Sequence, residues 1–337
     1  MSKTDISVVT LEAMRARHAD LAVDVVRTPT VPLISPLIER ALEGAQVHMK
    51  LECFQHTGTF KARGAVSVAR AIPQDLRAAG ITAASAGNHA IAAAWAARRE
   101  GLSAKVVMQS SANPFRVTRA RAEGADVILK DGGPATFGEA ERLVRNEGRT
   151  FIHPFEGLNT TLGTAGVGLE LMEDVAGLDA VVVSVGGGGL ISGVAAAVKA
   201  INPACKVYGV EPIGADSMSQ SRAAGQPMTL DKVDTVADSL GPPMALPFGF
   251  AMCQAYVDDI VTVTDDQICA GMVVMQEEAK LAVEPAAGAA MAGLSSPLRD
   301  RLKGQRIGLI VCGANIDAEG YLSLMERGRG KIAGLIG

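Results

Sequence analysis

The sequence predicts an α/β protein with two lobes, each built on an open parallel sheet. Short apolar runs alternate with helical patterns from Ile81 onward, and parallel βαβ units produce that alternation. The alternation is interrupted at His153-Pro154-Phe155 and then resumes with a second set of strands. A chain of 337 residues is long enough for two domains of ordinary size. We therefore expect two αβ lobes with a cleft between them.

Composition and charge exclude several classes of protein. Hydrophobic residues make up 48% of the chain, charged residues make up 20%, and the formal net charge is −4. These values are typical of a packed globular enzyme, and no basic stripe points to nucleic acid or to a membrane surface as a partner. The five cysteines are scattered without CxxC spacing, which predicts free thiols, no zinc site and a cytoplasmic location.

Two stretches bear on targeting. The first ten residues do not resemble a signal peptide. The run 181–198 is uncharged and long enough to raise the question of a membrane span, but it contains five glycines and two serines. It is better interpreted as a buried strand, a glycine loop and an alanine-rich helix.

The elements are expected in a definite order along the chain. Helical patterns cover 11–26, 88–100, 113–123, 139–146 and 162–175, and a further helix opens at Lys61. Strand patterns cover 47–53, 81–84, 105–108, 126–129, 180–185, 206–210, 260–263 and 307–312. Prolines in 27–32 end the first helix.

Lys61 occupies an unusual place for a cation, in the first turn of the helix that 55–65 predicts. The helix dipole repels positive charge there, and the apolar neighbour Phe60 limits hydration, so a lowered pKa is expected. A lysine of that kind is suited to act as a Schiff-base nucleophile. Thr57 and Thr59 are the expected helix caps. The alternative is a solvated surface lysine, as most lysines are.

The segment Ser85-Ala86-Gly87-Asn88-His89 follows a strand and opens a helix. Backbone N–H groups at such a turn can bind a small anion, and a carboxylate would suit the site. An ordinary capped helix start would have the same residues. His89 is first interpreted as a hydrogen-bonded structural histidine. A general base is the second interpretation.

Four consecutive glycines, Gly186 to Gly189, lie between a buried strand and a helix, which favours a phosphate held by backbone amides. Glu211 ends the next strand about 20 residues on, as the ribose-binding acid does in a dinucleotide fold. The glycine spacing is GxGxxxG and does not fit the dinucleotide fingerprint. A nicotinamide oxidoreductase and a non-catalytic amino-acid-binding protein remain alternatives.

Two further segments precede or follow predicted elements. Cys312-Gly313-Ala314-Asn315 stands at the carboxyl end of a strand, where open α/β sheets bind their ligands. Glu284-Pro285 is placed just before a helix. Taken alone, Cys312 would be a buried structural thiol.

The motifs QHTGTFKARGA, SAGNHA, GGGGLISG, VEP, ADSLG, VEPAAGA and CGAN occur in this order from about residue 28 to residue 317. Together they resemble the pyridoxal-phosphate enzymes of the tryptophan synthase β-like fold (fold type II), and within them the serine/threonine dehydratases (ammonia-lyases) and serine racemases. The resemblance implies a large coenzyme-binding domain from 1–75 and 153–337 and a small mobile αβ domain from 76–152. It also implies a homodimer and a small amino acid as the substrate.

The resemblance assigns roles position by position. Lys61 would carry the coenzyme and then remove the Cα proton of the substrate. The coenzyme would be held by Phe60, Lys61, Asn88, Gly186, Gly187, Gly188, Gly189, Leu190, Glu284 and Cys312. The substrate carboxylate would be held by Ser85, Ala86, Gly87, Asn88 and His89.

Cys312 departs from the family pattern, because many relatives have a serine facing the pyridine nitrogen. A neutral thiol would leave that nitrogen unprotonated and favour β-elimination over transamination, whereas a thiolate could hold a proton there. Both ionisation states remain open at this stage.

Other departures bear on the reaction. Racemases have a serine as second base where this chain has Ala86, which favours dehydration. Ser239 replaces a common glycine, and 163–166 reads GTAG in place of GQGT.

Relatives with a divalent cation use a glutamate, a backbone carbonyl and an aspartate. The matching positions for Mg²⁺ or Ca²⁺ are Glu211, Ala215 and Ser217, with Asp216 one residue out of register.

The function expected from these residues is β-elimination, in which a β-hydroxy amino acid such as L-threonine or L-serine loses water to give an aminoacrylate, which is then hydrolysed to a 2-keto acid and ammonia. Racemisation and β-replacement on the same fold are the alternatives.

Overall fold

The computed structural model describes residues 4–85 and 87–336, and its elements follow the expected alternation. Its strands are β1 (Thr30–Pro32), β2 (Gln46–Leu51), β3 (Ile81–Ala84), β4 (Ala104–Gln109), β5 (Asp126–Lys130), β6 (Thr150–Phe151), β7 (Ala180–Ser184), β8 (Lys206–Pro212), β9 (Asp259–Val263) and β10 (Arg306–Val311). Its helices are α1 (Leu11–Leu21), α2 (Pro36–Ala41), α3 (Lys61–Arg70), α4 (Asn88–Arg99), α5 (Pro114–Ala122), α6 (Gly132–Glu147), α7 (Leu158–Asp174), α8 (Gly189–Ile201), α9 (Ser217–Ala224), α10 (Pro247–Tyr256), α11 (Asp265–Glu277), α12 (Pro285–Ser295), α13 (Arg299–Leu302), α14 (Ala318–Arg329) and α15 (Ile332–Ile336).

The strands form two sheets. The six-stranded sheet has the order β1-β2-β10-β7-β8-β9, and the four-stranded sheet has the order β5-β4-β3-β6. The strand pairs are parallel apart from β1 with β2. We call the smaller sheet with α4, α5 and α6 the small lobe, and the larger sheet with its helices the large lobe. The α/β prediction is confirmed, while the boundaries at 75/76 and 152/153 and the mobility of the small lobe stay predictions.

One main core forms around each sheet, and the core of the small lobe also includes residues of α1 and α3. Strand β7 is buried along its whole length, as expected when helices cover both faces of a parallel sheet. In the small lobe, the alanines of α4 between Ala90 and Ala97 let the helix lie close to its sheet. Small side chains therefore fill much of the space that aromatic residues fill in other cores, which agrees with an aromatic content of 4%.

A buried cluster of four charges fixes helix α3. The Nε and Nη2 atoms of Arg63 each donate to Glu52 at 2.8 Å, and its Nη1 and Nη2 donate to Glu170 at 2.7 and 2.9 Å. The Nζ atom of Lys50 lies 2.7 Å from Glu170. All four side chains are at most 1% exposed. Because every charge has an opposite partner, the cluster joins α3 to β2 and to α7 without leaving a buried charge unpaired.

Helices α3 and α7 also approach closely through Gly163. A Cβ at this position would lie 2.5 Å from the carbonyl oxygen of Arg63 and 2.7 Å from the Cβ of Ser67. The departure at 163–166 noted in the sequence therefore lies at a helix contact that needs a glycine.

Several element bounds differ from the expected ones. Helix α1 ends at Leu21 and not at residue 26. Helix α6 begins at Gly132 because Pro134 fits a first helical turn, so the expected start at 139 was wrong. Helix α7 begins at Leu158, four residues before the expected 162.

The prediction of free cysteines is confirmed, whereas the cytoplasmic location stays a prediction. All five cysteines lie in the described ranges and each is a free thiol. No helix among the described residues combines the length and the apolar character that crossing a membrane requires.

The buried charge cluster predicts a large difference between two glutamates of α7. Glu170→Ala should lower the free energy of unfolding by about 3–5 kcal/mol, because Arg63 and Lys50 lose a buried partner. Glu173→Ala is the matched control, since Glu173 is half exposed and pairs with exposed Arg27, and it should cost about 1 kcal/mol or less. Urea unfolding followed by circular dichroism measures both, and equal losses would contradict the role given to the cluster.

Candidate active site

One cavity lies where the carboxyl ends of β3, β7 and β10 face the start of α3. All ten residues predicted to hold the coenzyme line it, namely Phe60, Lys61, Asn88, Gly186, Gly187, Gly188, Gly189, Leu190, Glu284 and Cys312. Ligands of open α/β sheets bind at this edge. The structure thus brings together residues from five separate segments of the chain.

The amine of Lys61 lies inside this cavity. Its Nζ donates to the carbonyl oxygen of Pro154 at 2.5 Å and lies 5.1 Å from the centre of the Phe60 ring. Burial lowers the pKa of Lys61 to about 8, against the smaller opposing effects of Cys312 and Glu284. The expected lowering is confirmed, so a substantial fraction of this amine is neutral near physiological pH.

The capping prediction for α3 was only partly right. The hydroxyl of Thr59 accepts from the Lys61 N–H at 3.3 Å. Thr57, however, has a φ of +67°, and its buried hydroxyl has no hydrogen-bond partner. Its cap role was wrong because the chain turns sharply at this residue, away from the helix.

The loop before Lys61 is hydrogen-bonded to the loop that follows β10. The Phe60 N–H donates to the Cys312 carbonyl at 3.1 Å, and the Ala314 N–H donates to the Gly58 carbonyl at 3.0 Å. These bonds form a short antiparallel bridge between Thr59 and Gly313. The amine of Lys61 and the thiol of Cys312 are therefore held in a fixed relation.

The glycine loop packs against Phe155. A Cβ at Gly187 would overlap the ring of Phe155, and a Cβ at Gly186 would lie 3.1 Å from the Cα of Leu240. Helix α8 begins directly at Gly189, so its first N–H groups and its dipole face the loop. This geometry forms a cradle that a phosphate would fit, and side chains at these positions would fill it.

Asn88 belongs to a buried amide and carboxyl network. Its Nδ2 donates to both oxygens of Glu284 at 2.9 Å, and its Oδ1 accepts from the Nδ2 of Asn315 at 3.0 Å. The Asn315 N–H also donates to Glu284 at 3.2 Å. Burial raises the pKa of Glu284 to about 7, partly offset by these bonds and by Arg116. The network fixes the orientation of the Asn88 amide.

Cys312 is held as a neutral thiol. Burial, together with the nearby Glu284, raises its pKa far above the usual value of a thiol. The Ser184 hydroxyl donates to its sulfur at 3.5 Å. Of the two states left open by the sequence, the structure supports the thiol.

The predicted carboxylate loop is only partly in the cavity. Asn88 lines it, whereas the Ser85 hydroxyl accepts from the Gly87 N–H at 3.1 Å. His89 is buried with its Nε2 2.8 Å from the Ile152 carbonyl, and burial lowers its pKa to about 3. The structural interpretation of His89 is therefore favoured over a general base. Ala86 lies outside the described residues.

Few oxygen atoms at the predicted cation position are free to bind a cation. The carboxylate of Glu211 accepts from the Met218 N–H at 2.9 Å and from the Ser219 N–H and hydroxyl at 2.8 and 2.6 Å. Ser217 donates to the Pro242 carbonyl at 3.4 Å, and Ala215 is buried. Across 4–85 and 87–336, no three His, Cys, Asp or Glu side chains are grouped to hold a metal. This donor set fits a divalent cation poorly, and the cation stays a prediction.

Some residues of the site were not predicted from the sequence. The cavity is also lined by Phe155, Ser184, Leu240 and Pro242, and by Ser239, which the sequence comparison with the family had already singled out. His153 accepts from the Phe155 and Glu156 N–H groups at 3.3 and 3.0 Å, and burial lowers its pKa to about 4. The only signal for this segment was the break in the strand and helix pattern at His153-Pro154-Phe155.

The cavity offers what a phosphorylated aldehyde coenzyme needs, an amine of lowered pKa and a glycine cradle, and the family match agrees. Residues 23–313 match the family described as pyridoxal-phosphate dependent enzyme. The chain is 45% identical over 289 residues to a phenylserine dehydratase of Ralstonia pickettii, covering 86% of this chain and 89% of that protein.

Two further relatives extend the match. The chain is 34% identical over 321 residues to an L-threonine ammonia-lyase of Thermotoga maritima, covering 95% of this chain and 79% of that protein. The structure of maize serine racemase matches with a TM-score of 0.87 at 33% identity, covering 95% of this chain and 98% of that chain.

The fold and the site define an enzyme of the ammonia-lyase and racemase group that uses pyridoxal phosphate. The chain belongs to the family of pyridoxal-phosphate-dependent enzymes, in the fold type II branch with the serine/threonine dehydratases. The resemblance drawn from the motifs and the tryptophan synthase β-like fold are both confirmed. This assignment replaces the nicotinamide alternative.

The lowered pKa of Lys61 predicts how coenzyme capture depends on pH. Only the neutral amine attacks an aldehyde, so the capture rate should rise about tenfold per pH unit below pH 8 and level off above it. Stopped-flow absorbance of coenzyme-free protein mixed with pyridoxal phosphate measures the rate. The Lys61→Arg variant should show no covalent capture, and a rate still rising at pH 10 would contradict the lowered pKa.

The cradle predicts a cost for any side chain at Gly187. Gly187→Ala should weaken coenzyme binding about tenfold or more, because the new methyl group displaces Phe155 or the loop. Fluorescence titration with pyridoxal phosphate measures the affinity. Gly138→Ala in α6 is the control, since nothing lies within 4 Å of that added methyl group. Equal affinities for the two variants would refute the cradle.

Proposed function

We propose that the protein is a dehydratase that converts an L-β-hydroxy amino acid, such as L-threonine, L-serine or a bulkier relative, to a 2-keto acid and ammonia. Within this proposal, Lys61 removes the Cα proton and the loop 85–89 binds the substrate carboxylate. The similarity to a phenylserine dehydratase and to an L-threonine ammonia-lyase supports the reaction class. Neither relative decides which side chain is preferred.

The observation that carries the proposal is which side chains in the cavity could act as a base. Among the described residues that line it, the ionisable side chains are Lys61, Glu284 and Cys312. Both oxygens of Glu284 accept from Asn88, and Cys312 is held as a neutral thiol. The Lys61 amine is therefore the group available to move a proton at Cα. Elimination needs one such base, whereas racemisation needs a second on the opposite face of the substrate.

The surroundings of the amine suit this task. A base works best when its pKa lies near the working pH, and burial brings Lys61 to about 8. When bound, pyridoxal phosphate supplies the conjugated system that accepts the electrons of the broken Cα–H bond. The neutral Cys312 thiol offers no negative charge to hold a proton at the coenzyme ring, which favours elimination over transamination.

Closure of the cavity is part of the proposal. The small lobe supplies Asn88, and the large lobe supplies Lys61, the glycine loop and Cys312. A small lobe that moves against the large lobe would admit the substrate and then exclude water from the reacting carbon. A homodimer and the divalent cation remain predictions from the resemblance, and a cytoplasmic location remains a prediction from the cysteine pattern.

The test separates elimination from racemisation in one incubation. Holoenzyme is incubated with L-serine, L-threonine and L-threo-phenylserine, and keto acid, ammonia and the D-isomer are measured. We expect keto acid and ammonia in equal amounts and little D-isomer, with no turnover by Lys61→Ala. If D-serine formed faster than pyruvate, the result would instead favour the racemase alternative. The similarity to maize serine racemase is the reason for testing it.

A chemical label tests the role of Lys61 independently of the substrate. Borohydride reduction of the holoenzyme should attach the coenzyme to the peptide that contains Lys61. A label on another lysine, or none in coenzyme-saturated protein, would refute the proposed role.

A further inference from the structure

A buried arginine joins the two lobes beside the predicted carboxylate loop. Arg116, in helix α5 of the small lobe, has a side chain that is 9% exposed. Its Nη1 lies 3.2 Å from the point that a Cβ of Gly87 would occupy. Its Nη2 donates to the Asn315 carbonyl of the large lobe at 3.3 Å. The side chain of Asn315 also donates to Asn88, which lines the cavity. Arg116 is therefore connected to the cavity wall through one residue.

The guanidinium of Arg116 already has a carboxylate partner. Its Nη1 pairs with Asp238, and its Nη2 donates to the same carboxylate at 3.2 Å. The residues directly after Asp238, Ser239 and Leu240, line the cavity. The Asp238 side chain is 57% exposed, so it stands at the rim. The pair thus bridges the lobes at the entrance, between solvent and the carboxylate loop.

The charge around this arginine is unfavourable for a second anion. Burial acts to lower the pKa of Arg116, but Asp238, Glu284 and Asp317 together raise it. Asn113, at the start of α5, donates to Asp317 and brings that carboxylate to the same junction of the lobes. One guanidinium is therefore set among three acidic side chains, with its hydrogen bonds directed to Asp238 and to the Asn315 carbonyl.

We propose that the pairing of Asp238 with Arg116 makes the enzyme select β-hydroxy amino acids whose Cβ substituent is neutral. Asp238 occupies the guanidinium that a second substrate carboxylate would need, and its own charge repels such a substrate. This proposal rests on the proposed function and adds the class of side chain. A hydrogen, methyl or phenyl group on Cβ carries no charge and does not compete with Asp238 for Arg116. The second carboxylate of 3-hydroxyaspartate would have to compete with Asp238 and would be repelled by it.

A purely structural bridge predicts a different result. If the pair only held the lobes together, weakening it would change turnover of every substrate by the same factor. Selection by charge changes the ratio between substrates and acts mainly through KM. The ratio of kcat/KM for L-threo-3-hydroxyaspartate to that for the best neutral substrate therefore distinguishes the two roles.

The experiment compares Asp238→Asn with Asp238→Glu in the holoenzyme. The wild type should favour the best substrate among L-serine, L-threonine and L-threo-phenylserine over L-threo-3-hydroxyaspartate. Asp238→Asn, which removes the charge but keeps the shape, should raise the ratio for hydroxyaspartate by about tenfold or more. Asp238→Glu, which keeps the charge, should leave the ratio within about threefold of the wild type. Adding Arg116→Gln to Asp238→Asn should remove the gain, because the cation is lost.

Asp234→Asn serves as the control for charge alone. Asp234 lies near Asp238 in sequence, is exposed and pairs only with exposed Lys232 among the side chains described. It should not change the ratio. A wild type that prefers hydroxyaspartate, or a ratio that moves less than about threefold in Asp238→Asn, would overturn the selection. Absence of keto acid from all neutral substrates would instead refute the proposed function itself.

Discussion

The site depends on the buried arginine that anchors helix α3. Arg63 lies on the same first turns as Lys61, and its guanidinium is held by Glu52 and Glu170 in a part of the core that excludes water. Moving α3 would separate charges in a medium of low dielectric constant, so small shifts are costly. A second constraint comes from the side, where Thr59 bridges to Gly313. Together the two fix where the Lys61 amine can point.

Asn315 transmits this order from one lobe to the other. Its side-chain amide donates to the Thr57 carbonyl at 2.7 Å and to Asn88, while its own N–H donates to Glu284. Thr57 precedes Lys61, and Asn88 opens a helix of the small lobe. One asparagine thus sets the turn before the lysine and the amide on the opposite wall. A change in the relative position of the lobes acts directly on both.

Local patterns predicted part of this site well. Lys61, the glycine loop and Cys312 each stand at the end of a predictable strand or the start of a helix, where residue type and position already indicate chemistry. Asn315 and Phe155 lie in segments that the sequence singled out, and Arg116 does not. The roles of all three come from contacts with residues remote in the chain and could not be predicted. The ionisation of Cys312 could not be predicted either, since it depends on how deeply the thiol is buried.

Burial also explains why the interior of the cavity and its rim have different roles. The same loss of hydration lowers the pKa of Lys61 and raises the pKa values of Glu284 and Cys312, so all three shift toward their neutral forms. A neutral amine can accept a proton, and the effects of Glu284 and Cys312, which act to raise the pKa of Lys61, are smaller than the effect of burial. At the rim, Asp238 is exposed and pairs with Arg116. The interior therefore determines which reaction occurs, and the rim determines the charge of the substrate that reaches it.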